Sequence, residues 1–234
     1  MTSNTLFVEF YGVPCSGKSF VAEKLYRYMK FDNKYQHLTI KLISLDKFCY
    51  IYRQFYKLYY CFFALKDFNF IFFIISHFIK NFLKNPVRQI KSHFNFIFIY
   101  GICMFKHPEE IVIIDQFFFQ AFWSLYSYKN ATLSLSFIRK ASNFFSNRKI
   151  SHISVNVKVS KSVLHQRTIL RSNSKSDVIL TSKINDLINQ GSKINNKIMR
   201  FCANTYILNL NNSKFLTRKK LSYLSRKIIM IKNE

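Results

Sequence analysis

Short apolar runs alternating with longer segments of helical spacing predict an α/β protein, with a parallel sheet of about five strands covered by helices on both faces. Three observations carry the prediction. The run Ile111-Val112-Ile113-Ile114 is continuously apolar, as a central strand buried on both faces must be. A second apolar run, Leu6–Tyr11, passes through a glycine-bearing loop into a helical pattern. Three further strand-like runs are each followed by helical spacing, the order expected of a parallel sheet.

Taken in order, Leu6–Tyr11 is the first strand, and Phe20, Val21, Leu25, Tyr28 and Met29 then recur at the spacing of one helix face. His37–Ser44 reads as the second strand. Residues 46–105 are strongly aromatic and helical, punctuated near Asp67 and at Pro86, where the proline ring demands a helix start or stop. After the third strand, Phe117–Tyr126 and Leu133–Phe145 read as helices, the latter with Phe137, Ile138, Ala141, Phe144 and Phe145 on one face. His152–Val159 is the fourth strand, and Ser160 suits the N-cap of the helix that follows. Ser172–Asp177 is polar and turn-like. Ile179–Phe201 is a helix with Ile184, Leu187, Ile188, Ile198 and Phe201 on one stripe. Thr205–Leu210 is the fifth strand, and Leu221, Leu224, Ile228 and Ile231 mark a last helix. No repeat or linker interrupts this order. One domain over 1–234 is expected, with 46–105 as a helical insertion.

Composition narrows the partners. The chain carries 36 Lys and Arg against 11 Asp and Glu, a net charge of +25. Such an excess draws anions. The lysines are nevertheless spread along the chain, and the joint richness in Lys, Asn, Ile and Phe is what AT-rich coding drift produces. Charge alone therefore gives a dedicated nucleic-acid site weak support. Five cysteines without a C-x-x-C pair argue against a disulfide framework or zinc site and for a reducing, cytoplasmic setting. Met1–Phe10 lacks the charged and apolar regions of a secretory signal. Phe68–Ile79 and Ser92–Phe105 end at Lys80 and Lys106, short of the ~18–20 apolar residues of a spanning helix.

The chemistry concentrates in Gly12-Val13-Pro14-Cys15-Ser16-Gly17-Lys18-Ser19, which satisfies G-x-x-x-x-G-K-[ST] in full. This is the phosphate-binding P-loop, with a strand before it and a helix after it. Its backbone amides wrap a polyphosphate, and the helix N-terminus adds partial positive charge. Lys18 reaches the β- and γ-phosphates, and the Ser19 hydroxyl ligates Mg²⁺. Only four glycines occur in the chain, and two fall at the required positions, which argues against chance.

Asp115 closes the third strand, where a carboxylate beside the loop would hold Mg²⁺ directly or through water; the competing role is a helix cap. Arg167 and Arg171 are four apart on one helix, so they share a face and suit a phosphate clamp, although a solvated basic face is the plain alternative. Asp46 suits either an acceptor-side base or an N-cap. Glu9, inside a buried strand, needs a partner, either in the site or as an ion pair with a core lysine or arginine. Tyr50, Tyr52, Arg53 and Arg88 are candidates for the acceptor pocket.

Together, Gly12–Ser19, Ile111–Asp115, Arg167-x-x-x-Arg171 and the late strand–helix pair resemble the P-loop kinase branch that includes thymidylate kinase and other nucleoside monophosphate kinases. The segment Ile114-Asp115-Gln116-Phe117, with Gln120, Trp123 and the loop proline Pro14, is more similar to a group of uncharacterised bacterial kinase-like ATP-binding proteins. The resemblance implies a P-loop NTPase three-layer fold and Mg²⁺-dependent phosphoryl transfer from ATP to a small acceptor: a nucleotide, a nucleoside or another hydroxyl-bearing metabolite. It also implies a short lid near 172–178, loops near Leu210 that flank the adenine and, by family analogy, a homodimer. Thymidylate kinases usually carry Asp-Arg after the third strand, and this chain has Asp115-Gln116, so the arginine that holds the acceptor phosphate is missing there. A catalytically silent ATP-binding regulator and a polynucleotide kinase-like enzyme are the remaining readings. The N-K-x-D box of a GTPase, the L-S-G-G-Q signature of a transporter, H-E-x-x-H and G-x-S-x-G are all absent from the sequence.

Overall fold

The computed structural model describes residues 5–13, 15–44, 49–81, 86–115, 117–119, 121–122, 135–147, 151–172, 205–212 and 216–233. Five strands, β1 (Leu6–Tyr11), β2 (Ile40–Ile43), β3 (Ile111–Ile114), β4 (Ser151–Lys158) and β5 (Thr205–Asn211), form one sheet in the order β2-β3-β1-β4-β5. Every pairing is parallel, with Leu6 of β1 opposite both Ile111 of β3 and Ser151 of β4. β1 is thus central and buried along its whole length.

Alternation along the strands divides the apolar core into two layers. Leu6, Val8 and Phe10 of β1 pack with Ile111, Ile113, Ile153 and Val155 under α1 (Lys18–Phe31) and α7 (Arg218–Asn233). Phe7 and Tyr11 point the other way, with Val112 and Ile114, into the layer that holds α2 (Tyr50–Ala64), α3 (Phe68–Asn81), α4 (Pro86–Met104) and α5 (Leu135–Asn147). The last named helix, α6 (Lys161–Ser172), follows β4. This is the three-layer α/β architecture, a five-stranded parallel sheet with helices on both faces, that the sequence predicts.

Local signals explain the boundaries. β2 begins at Ile40 and not at His37, because the chain just before it is spent on turns. The Asp32 carboxylate accepts the Lys34 N–H at 3.1 Å, and Leu38 N–H donates to Tyr35 O. Thr39 then exchanges hydrogen bonds with Glu110, which locks β2 against the start of β3. Asp67 supplies the expected break: its carboxylate accepts the Phe70 N–H and so caps α3. Pro86 opens α4, where its missing N–H costs nothing. Gly101 lets α2 and α4 cross closely, since a Cβ there would run into the Tyr60 carbonyl oxygen.

The α1 face differs in one place from the expected stripe. Val21, Ala22, Leu25 and Met29 are buried, but Phe20 points outward with the Lys24 ammonium over its ring. In α5, Phe137, Ile138, Ala141 and Phe145 are buried as expected. Phe118–Phe122 are helical where described. Residues 173–177 and the expected helix Ile179–Phe201 lie outside the described residues.

Burial pushes the imidazoles of His93 and His107 below their ordinary pKa of 6.5. Each ring faces a carbonyl oxygen as acceptor, Gln89 for His93 and Ile102 for His107, so each donates from one nitrogen in its neutral form. The unfolded chain therefore takes up protons first as pH falls, and stability is lost from about pH 6.5 downward. Glu109 and Glu110, whose carboxylates sit beside Lys41 and Lys232, are held below 4.5 and add their loss only at more acid pH. Thermal melts should show a flat midpoint between about pH 8 and 7 and a fall between about pH 6.5 and 5. A midpoint unchanged down to about pH 5 would contradict the burial of these rings.

Candidate functional site

The P-loop leaves β1 at its carboxyl end, and its glycines are required by contact. A Cβ on Gly12 would lie 2.7 Å from the Val157 carbonyl oxygen of β4. Gly17 has φ of 85°, and a Cβ there would meet Asn212 Nδ2 at 2.7 Å. Cys15 also has positive φ, 64°, a conformation that costs an L-residue roughly 1–2 kcal/mol. Pro14 lies outside the described residues.

Gly17 is also the N-cap of α1, which has no side-chain cap and no acidic residue in its first turn. The helix thus opens on backbone amides and a positive dipole end, a ready anion site. Lys18 Nζ arches back over the loop to the Gly12 carbonyl oxygen, 3.4 Å away. The Ser16 hydroxyl is fully buried in the loop without a hydrogen-bond partner among the described residues, a donor that a phosphate oxygen would satisfy. These features fit a bound nucleotide polyphosphate.

The loop is braced from the β4–β5 side. The Ser16 carbonyl accepts Arg167 Nη1 at 3.1 Å and Asn212 Nδ2 at 2.9 Å. Arg167 Nη2 donates in turn to the Asn212 carbonyl, and the Asn212 N–H donates to the Lys158 carbonyl. The structure therefore brings Arg167 to the P-loop, where it holds the loop's own carbonyl. The Arg171 side chain lies outside the described residues.

On the β3 side, Asp115 follows the Ile114–Glu9 register pair and is 1% exposed. Its Oδ2 accepts the Ser44 hydroxyl at 3.0 Å. Ser44 follows β2, Asp115 follows β3 and Asn212 follows β5, so all three gather at the sheet edge that carries the loop. Sequence reading passed over Ser44 and Asn212. Their signal was a polar residue one step past an apolar strand.

Among the described residues, Glu9 is met by two backbone amides and an imidazole. Its carboxylate, wholly buried, accepts the N–H groups of Phe117 (3.3 Å) and Phe119 (3.0 Å), and His152 Nε2 lies 3.3 Å away. It therefore anchors the chain just beyond Asp115 to the centre of the sheet. Tyr11, one alternation step along β1, has its phenol pKa pushed well up by burial and by the Glu9 charge, so it stays neutral.

Among the described residues no three His, Cys, Asp or Glu side chains form a self-sufficient metal cluster. A magnesium ion would instead draw on the Ser19 hydroxyl, the Asp115 carboxylate and phosphate oxygens, a donor set of the hard kind Mg²⁺ prefers. On the insertion side, Tyr50 and Tyr52 are exposed at the start of α2, and Arg53 is half-buried. Asp46, Gln116, Gln120, Trp123 and the Arg88 side chain lie outside the described residues.

The sequence matches no known protein family and no curated protein. Solved structures show an overall likeness. YorR from Bacillus subtilis, in complex with phosphorylated GDP, is 14% identical with a TM-score of 0.48, over 96% of this chain and 94% of that one. Deoxyadenosine kinase from M. mycoides, with dCMP and dCDP, is 12% identical with a TM-score of 0.47, over 96% and 99%. Shikimate kinase from Acinetobacter baumannii, with shikimate, is 10% identical with a TM-score of 0.43, over 98% and 94%. Likenesses this distant decide nothing about activity, which has to come from the chain's own residues.

Glu9→Gln keeps the shape but turns an amide N–H₂ toward groups that need an acceptor. The variant should lose about 1–3 kcal/mol of stability in urea unfolding, the cost of one buried unsatisfied donor. An unchanged midpoint would show that the Phe117 and Phe119 amides do not depend on this carboxylate.

Proposed function

We propose that the protein is an ATP- and Mg²⁺-dependent kinase acting on a small hydroxyl- or phosphate-bearing acceptor. One observation carries this reading: a complete G-x-x-x-x-G-K-S loop opens an uncapped helix at the end of β1, and a buried carboxylate, Asp115, closes the neighbouring strand β3. The α1 amides and Lys18 bind and orient the triphosphate, and they are placed to meet charge that grows in the transferring phosphoryl group. Ser19 and Asp115 are the residues that would hold Mg²⁺, which when bound neutralises phosphate charge. Arg167 keeps the loop in its phosphate-ready shape through the Ser16 carbonyl and so serves as a positioning residue. Direct contact of Arg171 with phosphate, and a lid near 172–178, belong to the same proposal.

The helices α2–α4 stand between β2 and β3 and would shape the acceptor pocket from that side, as a single-domain kinase with a helical insertion requires. A nucleoside monophosphate-kinase-like acceptor would have to be held without the Asp-Arg pair of thymidylate kinases, because Gln116 follows Asp115. A nucleoside or neutral hydroxyl-bearing metabolite makes no such demand. The acceptor class favoured here is therefore one that needs no arginine at that place.

The test is phosphoryl transfer from labelled ATP to a panel of nucleosides, nucleoside monophosphates and hydroxy metabolites. Asp115→Asn should lower transfer by roughly 10²–10³-fold while ATP affinity changes only a few-fold, since its contribution falls on charge developing in the transition state. Wild-type ATP binding without transfer to any member of the panel would favour a silent nucleotide-binding module.

A further inference from the structure

The helices α2 and α3 turn one side each toward α4, through Tyr60, Cys61 and Ala64 of α2 and Phe70 and Ile74 of α3. Their opposite sides are not polar. On α2, Ile51, Phe55, Leu58 and Phe62 recur at steps of four and three, the spacing of one helix face, with the C-cap Leu65 continuing the row, and each is at least half exposed. On α3, Phe68, Phe72, Ile75 and Ile79 repeat the same spacing, with Phe68 at 82% and Phe72 at 74% exposure. Large apolar side chains set out singly on a surface need no explanation; two ordered stripes on adjacent helices do.

Charge selects the occupant. Residues 47–108 contain nine Lys and Arg and one acid, Asp67, whose carboxylate is taken up in capping α3 and accepting the Tyr100 hydroxyl. Lys66 stands exposed at the break between α2 and α3, and Lys80 stands exposed at the end of α3. A second copy meeting this one through the same face would bring the same lysines, no acid within 47–108 but Asp67 and another net +25, so self-association through this face is opposed by repulsion. An anionic lipid surface offers hydrocarbon to the phenylalanines and headgroup phosphate to the lysines.

We propose that the outer faces of α2 and α3 dock this protein onto an anionic lipid surface, lying in the interface and not crossing it. No single described helix is long and apolar enough to cross a membrane, and α2 and α3 meet at 118°. At 15 and 14 residues they reach about 22 Å each, short of the ~30 Å hydrocarbon core. The tyrosines and phenylalanines of these helices suit the headgroup boundary. No residue of the P-loop and neither Asp115 nor Arg167 belongs to this face, so the inference stands apart from the kinase reading.

Vesicle flotation of the full chain tests it, with phosphatidylcholine alone or with about 30% phosphatidylserine, at ~0.1 M and ~1 M salt. ATP binding and the thermal midpoint are read on the same samples, so failure at the lipid face and failure at the nucleotide site are told apart. The chain should float with the anionic vesicles at low salt and much less with neutral ones. Phe62→Glu and Phe72→Glu should each weaken binding about tenfold without changing the thermal midpoint, because both side chains are exposed. Lys66→Glu and Lys80→Glu should each weaken it about fivefold or more. Equal binding to neutral vesicles, or none to anionic ones, overturns the proposal. So does a dimer in light scattering that Phe62→Glu converts to monomer, which would give the face to a second copy.

Discussion

The buried carboxylate of Glu9 is the constraint on which the arrangement turns. A charged group at the centre of a parallel sheet is tolerated only where donors surround it. Here the donors are the Phe117 and Phe119 amides and the ring of His152. Because the amides belong to the chain immediately after Asp115, satisfying Glu9 also fixes where β3 releases that chain. The strand pair β1–β3 then delivers a carboxylate and a P-loop to one edge in a set register.

The other wall of the site is built by contact. Gly12 passes so near the Val157 carbonyl that only a hydrogen fits at its Cα, and Gly17 takes the positive φ that a side chain would strain. Three of the loop's neighbours (Arg167, Asn212 and the β4 backbone) come from the half of the sheet opposite β3. The P-loop is therefore braced from the β4–β5 side and leads into the uncapped α1 N-terminus. That preorganisation is what phosphate binding asks of a protein, since donors already in place need no reordering when charge arrives.

Much of this was legible in the sequence, and the reasons differ by residue. The loop was readable because its function restricts residue type at fixed spacing, and the Ile111–Ile114 strand because both its faces are buried. Pro86 and Asp67 marked helix ends through backbone chemistry local to themselves. The start of β2 was misplaced because Asp32 and Thr39 make turn and cross-strand bonds that apolar periodicity does not register. Long-range pairings were hidden altogether. Ser44 with Asp115, Asn212 with Ser16 and Glu9 with Phe119 join residues 71 to 196 positions apart. Arg167 shows the limit most clearly: its residue type suggested an anion, and the fold presented it with a carbonyl.

The central claim is that Gly12–Ser19 forms a working site for a nucleotide triphosphate. Calorimetric titration of the protein with MgATP, in parallel with Lys18→Ala, tests it most directly. The wild-type chain should bind saturably and the variant at least about tenfold more weakly, because the lysine ammonium arches over the loop to the Gly12 carbonyl, where the phosphates would lie. Absence of binding by the wild-type chain, or equal affinity in the two proteins, would contradict it.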